Sequence, residues 1–233
     1  MQDAPKSRDF DRLVSLCHEI GRRYEPGLIF IGGIGVYLHA INSPGVKDLA
    51  EATKDADLYI SISGFSDLRE IEEVSANRRL NKHEFRKDGF SFDVYTERHS
   101  DLPVPYAEVA ANAHRYDGVR VAAPEHLLTL KLDAAVDRKG SEHGRKDIKD
   151  IIRLMLVAGA SRFDAKQCAA FMQDRHLELL ESIERGPEFL SLARGNAKEA
   201  KATRAMFSAV LEPVRRVHGG TAKRKTSPSR HRA

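Results

Sequence analysis

The sequence LIFIGGIGVYLHAI, residues 28–41, combines three signals that decide the fold. Its four leading apolar residues follow a Pro-Gly breaker and predict a short buried strand. Gly32 and Gly33 predict a turn, and residues 34–41 predict a helix. Small residues at such a turn let backbone N–H groups and the helix N-terminus approach a phosphate closely. The stretch therefore predicts a strand, a phosphate-binding glycine turn and a helix, with a simple strand end as the alternative for the glycine pair.

A second strand is predicted at residues 57–62, where residues of two faces alternate along the chain. Asp55 and Asp57 are two residues apart, so both carboxylates point to the same face of an extended chain. Carboxylate oxygens are the ligands that hard divalent cations prefer. The pair therefore indicates a metal site, and an exposed strand end is the alternative for an Asp-x-Asp sequence taken by itself.

A β-hairpin is predicted over residues 82–96. Its centre is an Asp-Gly dipeptide at 88–89, which tolerates the positive φ angles of a type I′ turn. In its second strand the phenylalanines and Val94 would face the core, whereas Asp93 would face the opposite way. An aspartate among core strand residues is unusual, so Asp93 is predicted to add a third carboxylate to the Asp-x-Asp pair.

The second half of the chain is predicted to be mainly helical. A short strand at Val119–Val121 precedes Pro124, which suits the first turn of a helix because its missing N–H costs nothing there. This helix continues through Val136 and carries Lys131 on an otherwise apolar face, where its point charge suits a phosphate. The alternative for Lys131 is a surface lysine whose charged end reaches solvent.

A polar linker at residues 139–144 is predicted to precede a strong amphipathic helix at Lys146–Val157. Asp147 and Asp150 are three residues apart and therefore adjacent on one face of that helix. Acidic residues at a helix start are the alternative for either one. Other helices are predicted at residues 10–24, at about 67–74 with Ser66 as the cap, at 107–113, and between 158 and about 217.

These elements predict an α+β fold, with a small mixed β-sheet core flanked by helices and followed by a C-terminal helical region. We expect the core at residues 1–122 and a helical region that completes a cleft at residues 123–217. From Arg215 onward the chain has seven Lys or Arg residues and no acid, so the net charge of +4 becomes −3 without them. Residues 218–233 are therefore predicted to be a basic disordered tail, either a solvated terminus or a non-specific nucleic-acid arm.

Composition excludes several classes of protein. Hydrophobic residues make up 41% and charged residues 31% of the 233, which is typical of a globular chain and excludes wholesale disorder. The sequence has no apolar run near the roughly 20 residues that span a bilayer, and its beginning lacks the apolar core of a signal peptide, so we expect no membrane association and a cytoplasmic location. Cys17 and Cys168 lack zinc-finger spacing and are predicted to be buried thiols.

Three motifs together resemble the hG[G/S]…DxD…hDh signature of the DNA polymerase β-like nucleotidyltransferase superfamily. They are Ile31-Gly32-Gly33, Thr53-Lys54-Asp55-Ala56-Asp57-Leu58 and Phe92-Asp93-Val94. Two later segments, residues 121–132 and 145–151, are similar to motifs of AbiEii-like nucleotidyltransferases, the toxins of type IV toxin–antitoxin systems. The resemblance covers about residues 28–157.

The resemblance implies roles for individual residues. Asp55 and Asp57 would bind magnesium, Lys131 would contact the nucleotide phosphates, and Asp147 or Asp150 would complete the site. On the hypothesis drawn from strand placement, Asp93 would complete a second site for Mg²⁺ or Mn²⁺ and help deprotonate the acceptor. Gly32 and Gly33 would cradle the triphosphate together with Lys131. Two departures from the family pattern are the long interval from Gly33 to Asp55 and the expanded linker at 139–144.

The function implied is metal-dependent transfer of a nucleoside monophosphate from an NTP to RNA, such as the tRNA 3′ end, or to a protein. The resemblance also implies the toxin of a toxin–antitoxin or abortive-infection system, with a cognate antitoxin protein as a partner. A small-molecule, antibiotic-type nucleotidyltransferase is one alternative. A non-catalytic nucleotide-binding relative is the other.

Overall fold

The computed structural model describes residues 5–98 and 100–225. These residues form a seven-stranded sheet and ten helices. The strands are β1 (Leu28–Ile31), β2 (Asp55–Ile60), β3 (Ser75–Asn77), β4 (Lys82–Lys87), β5 (Phe90–Thr96), β6 (His114–Tyr116) and β7 (Val119–Val121). The helices are α1 (Pro5–Arg23), α2 (Gly32–Ile41), α3 (Ile62–Ile71), α4 (Tyr106–Ala111), α5 (Pro124–Asp137), α6 (Glu142–Ala160), α7 (Ala165–Ala169), α8 (Asp174–Arg185), α9 (Glu188–Leu192) and α10 (Ala197–Lys225).

The sheet is mixed, with the strand order β3-β4-β5-β2-β1-β7-β6. The central pair β1 and β2 is antiparallel, whereas β2 is parallel to β5 and β1 is parallel to β7. Both outer pairs are antiparallel hairpins. The predicted α+β fold with a mixed sheet is confirmed.

The core lies where the central strands meet the helices. All four residues of β1 are buried, as expected of a short apolar strand covered on both faces. Helix α2 follows β1 directly and packs against α5 and α6, while α6 also packs along α5 and α10. The helical second half therefore closes over the end of the sheet at which β1 and β2 present their glycine and aspartate residues. No helix within the described ranges is both long and apolar enough to cross a bilayer.

The predicted hairpin is confirmed. Strands β4 and β5 pair antiparallel, and Lys87 lies opposite Phe90 across the turn. Asp88 and Gly89 both have positive φ angles, 51° and 86°, as a type I′ turn requires. Asp93 is therefore on a strand, as predicted.

Several predicted boundaries are wrong because serine side chains cap two helices earlier than expected. Helix α3 begins at Ile62 rather than about residue 67, since the Ser61 side chain accepts a hydrogen bond from the Gly64 backbone N–H at 3.1 Å. Strand β2 accordingly runs from Asp55 to Ile60 instead of from 57 to 62. Helix α6 begins at Glu142 because Ser141 caps Gly144 in the same way at 3.0 Å. The predicted linker at 139–144 therefore shrinks to a tight turn.

The predicted tail at 218–233 is corrected in its first part. Helix α10 continues to Lys225. His218 lies inside this helix and pairs with Asp174, with 2.8 Å between Nε2 and Oδ1. The remaining tail residues, 226–233, lie outside the described residues. The predicted domain boundary at 122/123 falls between β7 and α5 and stays a prediction.

Candidate functional site

A cavity of about 320 Å³ lies between the sheet and helices α5 and α6. Its wall contains seven of the eight predicted site residues, namely Gly32, Gly33, Asp55, Asp57, Asp93, Lys131 and Asp147. Asp150, the eighth, is buried behind the wall, where its carboxylate pairs with Lys131. Residues separated by more than 100 positions in sequence are thus gathered around one space.

The three strand carboxylates share one face of the sheet. Strands β2 and β5 are parallel and in register, so Asp57 lies directly beside Asp93. Asp55 precedes Asp57 by two residues on β2 and projects from the same face. The predicted placement of a third carboxylate on a neighbouring strand is therefore correct, while its role stays a prediction.

Gly32 is required by the contact between the glycine turn and Asp57. Its φ angle is +61°, in the left-handed region that L side chains rarely adopt. A β-carbon at Gly32 would lie 1.8 Å from Asp57 Oδ2, so any side chain would displace the carboxylate. At Gly33 a β-carbon would lie 3.0 Å from the Thr53 hydroxyl. The turn therefore leaves its backbone close to the carboxylate, as a phosphate-binding loop beside a metal site requires.

Asp57 is the carboxylate under most electrostatic strain. Burial raises its pKa to about 6, although the positive charge of Lys131 acts in the opposite direction. The charges of Asp55 and Asp93 raise the pKa further. A cation placed among these three acids would relieve their repulsion.

Asp55 is held by a neutral partner that was not predicted. The Thr53 hydroxyl donates a hydrogen bond to Asp55 Oδ1 at 2.7 Å, and Lys146 Nζ donates to the Thr53 oxygen at 3.1 Å. Thr53 lies two residues before Asp55, and this spacing in an extended segment was a signal that it shares the same face. Arg138, His143 and Lys146 also line the cavity and were not predicted.

Asp93 is held by a charged partner, which was also not predicted. Lys82 Nζ lies 2.5 Å from Asp93 Oδ2 and 3.2 Å from Glu84 Oε1. Lys82 is the first residue of β4 and Glu84 lies directly opposite Asp93 in the hairpin. The hairpin register, which the sequence does predict, would have placed Lys82 diagonally across from Asp93.

On the helical side, Lys131 is bound by both predicted aspartates. Its Nζ lies 3.0 Å from Asp147 Oδ1 and 2.9 Å from Asp150 Oδ2. Arg138 also binds Asp147, and Arg153 also binds Asp150. The Lys131 side chain is 12% exposed, so it is not a surface lysine reaching into solvent. The charges of the aspartates raise the pKa of Lys131 despite its burial, which alone would lower it.

The strand carboxylates fit a divalent cation in donor type and lie on adjacent strands at one cavity. They supply hard oxygen ligands from adjacent strands at one cavity, and the crowding of like charge there favours a cation. They are not a ready-made cluster, because across residues 5–98 and 100–225 no three His, Cys, Asp or Glu side chains form a group that could hold a metal ion as they stand. Binding would require the carboxylates to turn towards the ion.

A second cavity of about 590 Å³ adjoins the first. The two cavities share Thr53, Asp55, His143 and Lys146. The additional residues of the second include three basic ones, which are Lys54, Arg145 and Lys149. An anionic molecule lying here would have one end at the strand carboxylates.

Comparison with known proteins identifies the fold. No family model matches the chain, and no curated protein matches it. The crystal structure of an antigenic nucleotidyltransferase-like protein from Paracoccidioides brasiliensis is similar to 81% of this chain and 94% of its own, with a TM-score of 0.50 and 19% identity. The crystal structure of JHP933 from Helicobacter pylori is similar to 95% of this chain and 99% of its own, with a TM-score of 0.51 and 13% identity.

Identities this low show the fold alone. The superfamily and its AbiEii-like branch therefore stay predictions from the sequence motifs. This chain has a nucleotidyltransferase-like fold followed by C-terminal helices.

Proposed function

We propose that the chain is a metal-dependent nucleotidyltransferase, which transfers a nucleoside monophosphate from an NTP to an acceptor. The observation that carries the proposal is the single cavity in which Asp55, Asp57 and Asp93 face the Gly32-Gly33 turn and Lys131. Carboxylates for a metal ion and backbone and lysine donors for phosphates are the two groups of residues that this chemistry needs.

Asp55 and Asp57 are the residues that would hold Mg²⁺ or Mn²⁺. A bound ion supplies charge stabilisation to the polyphosphate. Lys131 has three donors and its printed hydrogen bond goes to Asp147, so a donor remains for a phosphate oxygen at the cavity wall. Asp147 and Asp150 thus position Lys131, with Asp147 at the wall and Asp150 behind it.

In the reaction, an acceptor oxygen loses its proton and forms a bond to the α-phosphorus while the bond to the β-phosphate breaks. Pyrophosphate leaves with the electron pair of that bond. Gly32 and Gly33 would hold the phosphates, and their backbone can approach closely because neither carries a side chain. Asp93, beside Asp57 in the sheet, would help to take the proton of the acceptor.

The second cavity supports RNA, such as a tRNA 3′ end, as the acceptor. Its lining has four basic residues, Lys54, Arg145, Lys146 and Lys149, against three acidic ones, Glu51, Asp55 and Glu142, and this small basic excess suits a phosphate backbone. If the acceptor is a protein instead of RNA, the label from the NTP will appear in protein.

A non-catalytic nucleotide-binding protein is the second candidate. It is favoured by the existing ion pairs of Asp93 and Lys131 and by the lack of a ready metal cluster in the described part of the chain. Such a protein would bind NTP without releasing pyrophosphate.

The test incubates the protein with each labelled NTP, Mg²⁺ and total RNA, and measures both label transfer and pyrophosphate. We expect transfer by the wild type, none by Asp57→Asn, and wild-type transfer by Asp48→Asn, which alters an exposed aspartate away from the cavity. Circular dichroism checks that each variant is folded. Undiminished transfer by Asp57→Asn would contradict the proposal.

The toxin role is tested in cells. Induced expression of the wild type should arrest growth, and Asp57→Asn should not. Co-expression of the cognate antitoxin would then restore growth. Normal growth on expression of an active wild-type protein would remove the toxin role while leaving nucleotidyl transfer intact.

A further inference from the structure

Lys82 is held by two carboxylates beside the candidate metal site. Its side chain is 10% exposed, and its Nζ lies between Asp93 Oδ2 at 2.5 Å and Glu84 Oε1 at 3.2 Å. Asn77 on the neighbouring strand donates a hydrogen bond to Glu84 Oε1 at 2.8 Å. Three strands thus cooperate to keep one ammonium group against Asp93.

This arrangement compensates like charges in the hairpin. Glu84 and Asp93 lie directly opposite each other on β4 and β5, where they repel. Lys82 lies on the diagonal and neutralises part of both charges.

Within residues 5–98 and 100–225, neither of the other two strand carboxylates has a Lys or Arg within ion-pair distance. Asp55 accepts a hydrogen bond from the neutral Thr53 hydroxyl. Asp57 has no Lys or Arg within ion-pair distance among the residues described by the structure. The strand acids therefore divide into two that remain without a cation and one whose cation is part of the chain.

We infer that Lys82 is the resident cation of Asp93, so that the site takes one exchangeable divalent ion at Asp55 and Asp57 rather than two. The inference rests on the proposed function and narrows the expectation that Asp93 completes a second metal site. Mg²⁺ is commonly bound through one or two carboxylates together with water and substrate phosphates, so two aspartates suffice. A second ion at Asp93 would have to displace an ammonium that Glu84 also holds.

The test counts Mn²⁺ ions bound by the metal-free protein, using the electron paramagnetic resonance signal of unbound Mn²⁺. We expect one ion for the wild type and two for Lys82→Met, with the spin-coupled spectrum of two ions about 4 Å apart. Lys87→Met is the matched control, because Lys87 lies on the same strand and forms an equally close ion pair with Glu72, at 2.6 Å. This variant should bind one ion.

The outcomes separate the inference from the proposed function. Two ions in the wild type, or one ion in Lys82→Met, would overturn the inference alone. No ion in the wild type would remove the metal site of the proposed function itself.

If Lys82→Met does not fold, the charge-neutral double variant Lys82→Met/Asp93→Asn serves instead. It should bind one Mn²⁺ with an affinity within about threefold of the wild type. Removing a true ligand would lower the affinity by about 10-fold or more, and such a loss would overturn the inference.

Discussion

The cavity has two acidic walls that differ in how their charge is compensated. On the sheet wall, Lys82 pairs with Asp93 and Glu84, whereas Asp55 and Asp57 have no Lys or Arg within ion-pair distance in the part of the chain that the structure describes. On the helix wall, Asp147 and Asp150 meet three basic groups, which are Lys131, Arg138 and Arg153. Aspartates around the same cavity are therefore charge-compensated on the helix wall and largely uncompensated on the sheet wall.

The difference distinguishes residues that stabilise the folded site from residues whose charge a bound ligand would compensate. Compensated charges on the helix wall favour the folded chain and fix the direction of Lys131. Uncompensated acids on the sheet wall cost stability, and the raised pKa of Asp57 is the sign of that cost. Perturbed carboxylates facing a cavity are typical of functional sites, because a bound ligand relieves the strain.

Removing the charge of Lys131 from the helix wall should have the largest effect on the free energy of unfolding. Lys131→Met leaves the buried Asp147 and Asp150, which are 3% and 5% exposed, without their shared cation. We expect the free energy of unfolding to fall by about 3 kcal/mol, measured by urea denaturation. The control is Lys201→Met, an exposed lysine on α10, which should change it by less than about 0.5 kcal/mol. Equal effects of the two variants would show that the helix wall does not stabilise the fold.

Removing the buried charge of Asp57 from the sheet wall should raise the free energy of unfolding by an intermediate amount. The pKa of Asp57 is raised from 3.8 to about 6, so the folded state holds this proton more tightly than the unfolded state. The stabilisation this provides is fully present below pH 3.8 and is lost as the pH rises through about 6. Asp57→Asn does not titrate and escapes the loss.

We therefore expect metal-free Asp57→Asn to gain about 2 kcal/mol of stability relative to the wild type between pH 4 and pH 7. Urea denaturation in EDTA at a series of pH values measures the difference. A difference that does not vary with pH would contradict the assignment of strain to Asp57. Mg²⁺ should stabilise the wild type and not the variant, which sharpens the contrast between the two walls.

The smallest of the expected stability effects is the backbone cost of a positive φ, which Gly32 shares with Gly45. Gly32→Ala and Gly45→Ala both place a side chain at a positive φ, +61° and +79°, which costs each about 1–2 kcal/mol. At Gly45 a β-carbon would meet nothing within 4 Å, whereas at Gly32 it would meet Asp57. We expect only Gly32→Ala to lose labelled transfer and Mn²⁺ binding. Equal retention of both activities would mean that Asp57 can move aside without consequence.

Much of the sheet wall was predictable from sequence because strands obey a short, rigid period. The two-residue spacing of Asp55 and Asp57, and the Asp-Gly turn that fixes the hairpin, are enough to assign all three carboxylates to strand faces. The hairpin register also contained the Lys82 contact. It escaped prediction because a lysine in a strand is usually solvated, and its burial here depends on the packing of three strands.

The helix wall and several boundaries were less predictable. Ser61 and Ser141 cap helices by accepting hydrogen bonds from backbone N–H groups. Ser61 follows an alternating strand pattern and Ser141 lies in a polar segment, and neither pattern indicates which backbone N–H the serine binds. Strands β3 and β6 have three residues each, with little apolar character, and are ordered by pairing with their neighbours. That Lys131 binds both Asp147 and Asp150 depends on how α5 packs against α6, which no local pattern specifies.

The contact between Gly32 and Asp57 couples two positions that are far apart in sequence. The carboxylate fills the volume that a β-carbon at position 32 would need, so substitutions at the two sites should not act independently. In a chain with Asp57→Gly, alanine at position 32 would bear only the cost of its backbone angle. A lineage that abandoned metal binding at position 57 would thereby lose the steric demand for glycine at position 32, and the glycine would persist only through the conformation of the turn.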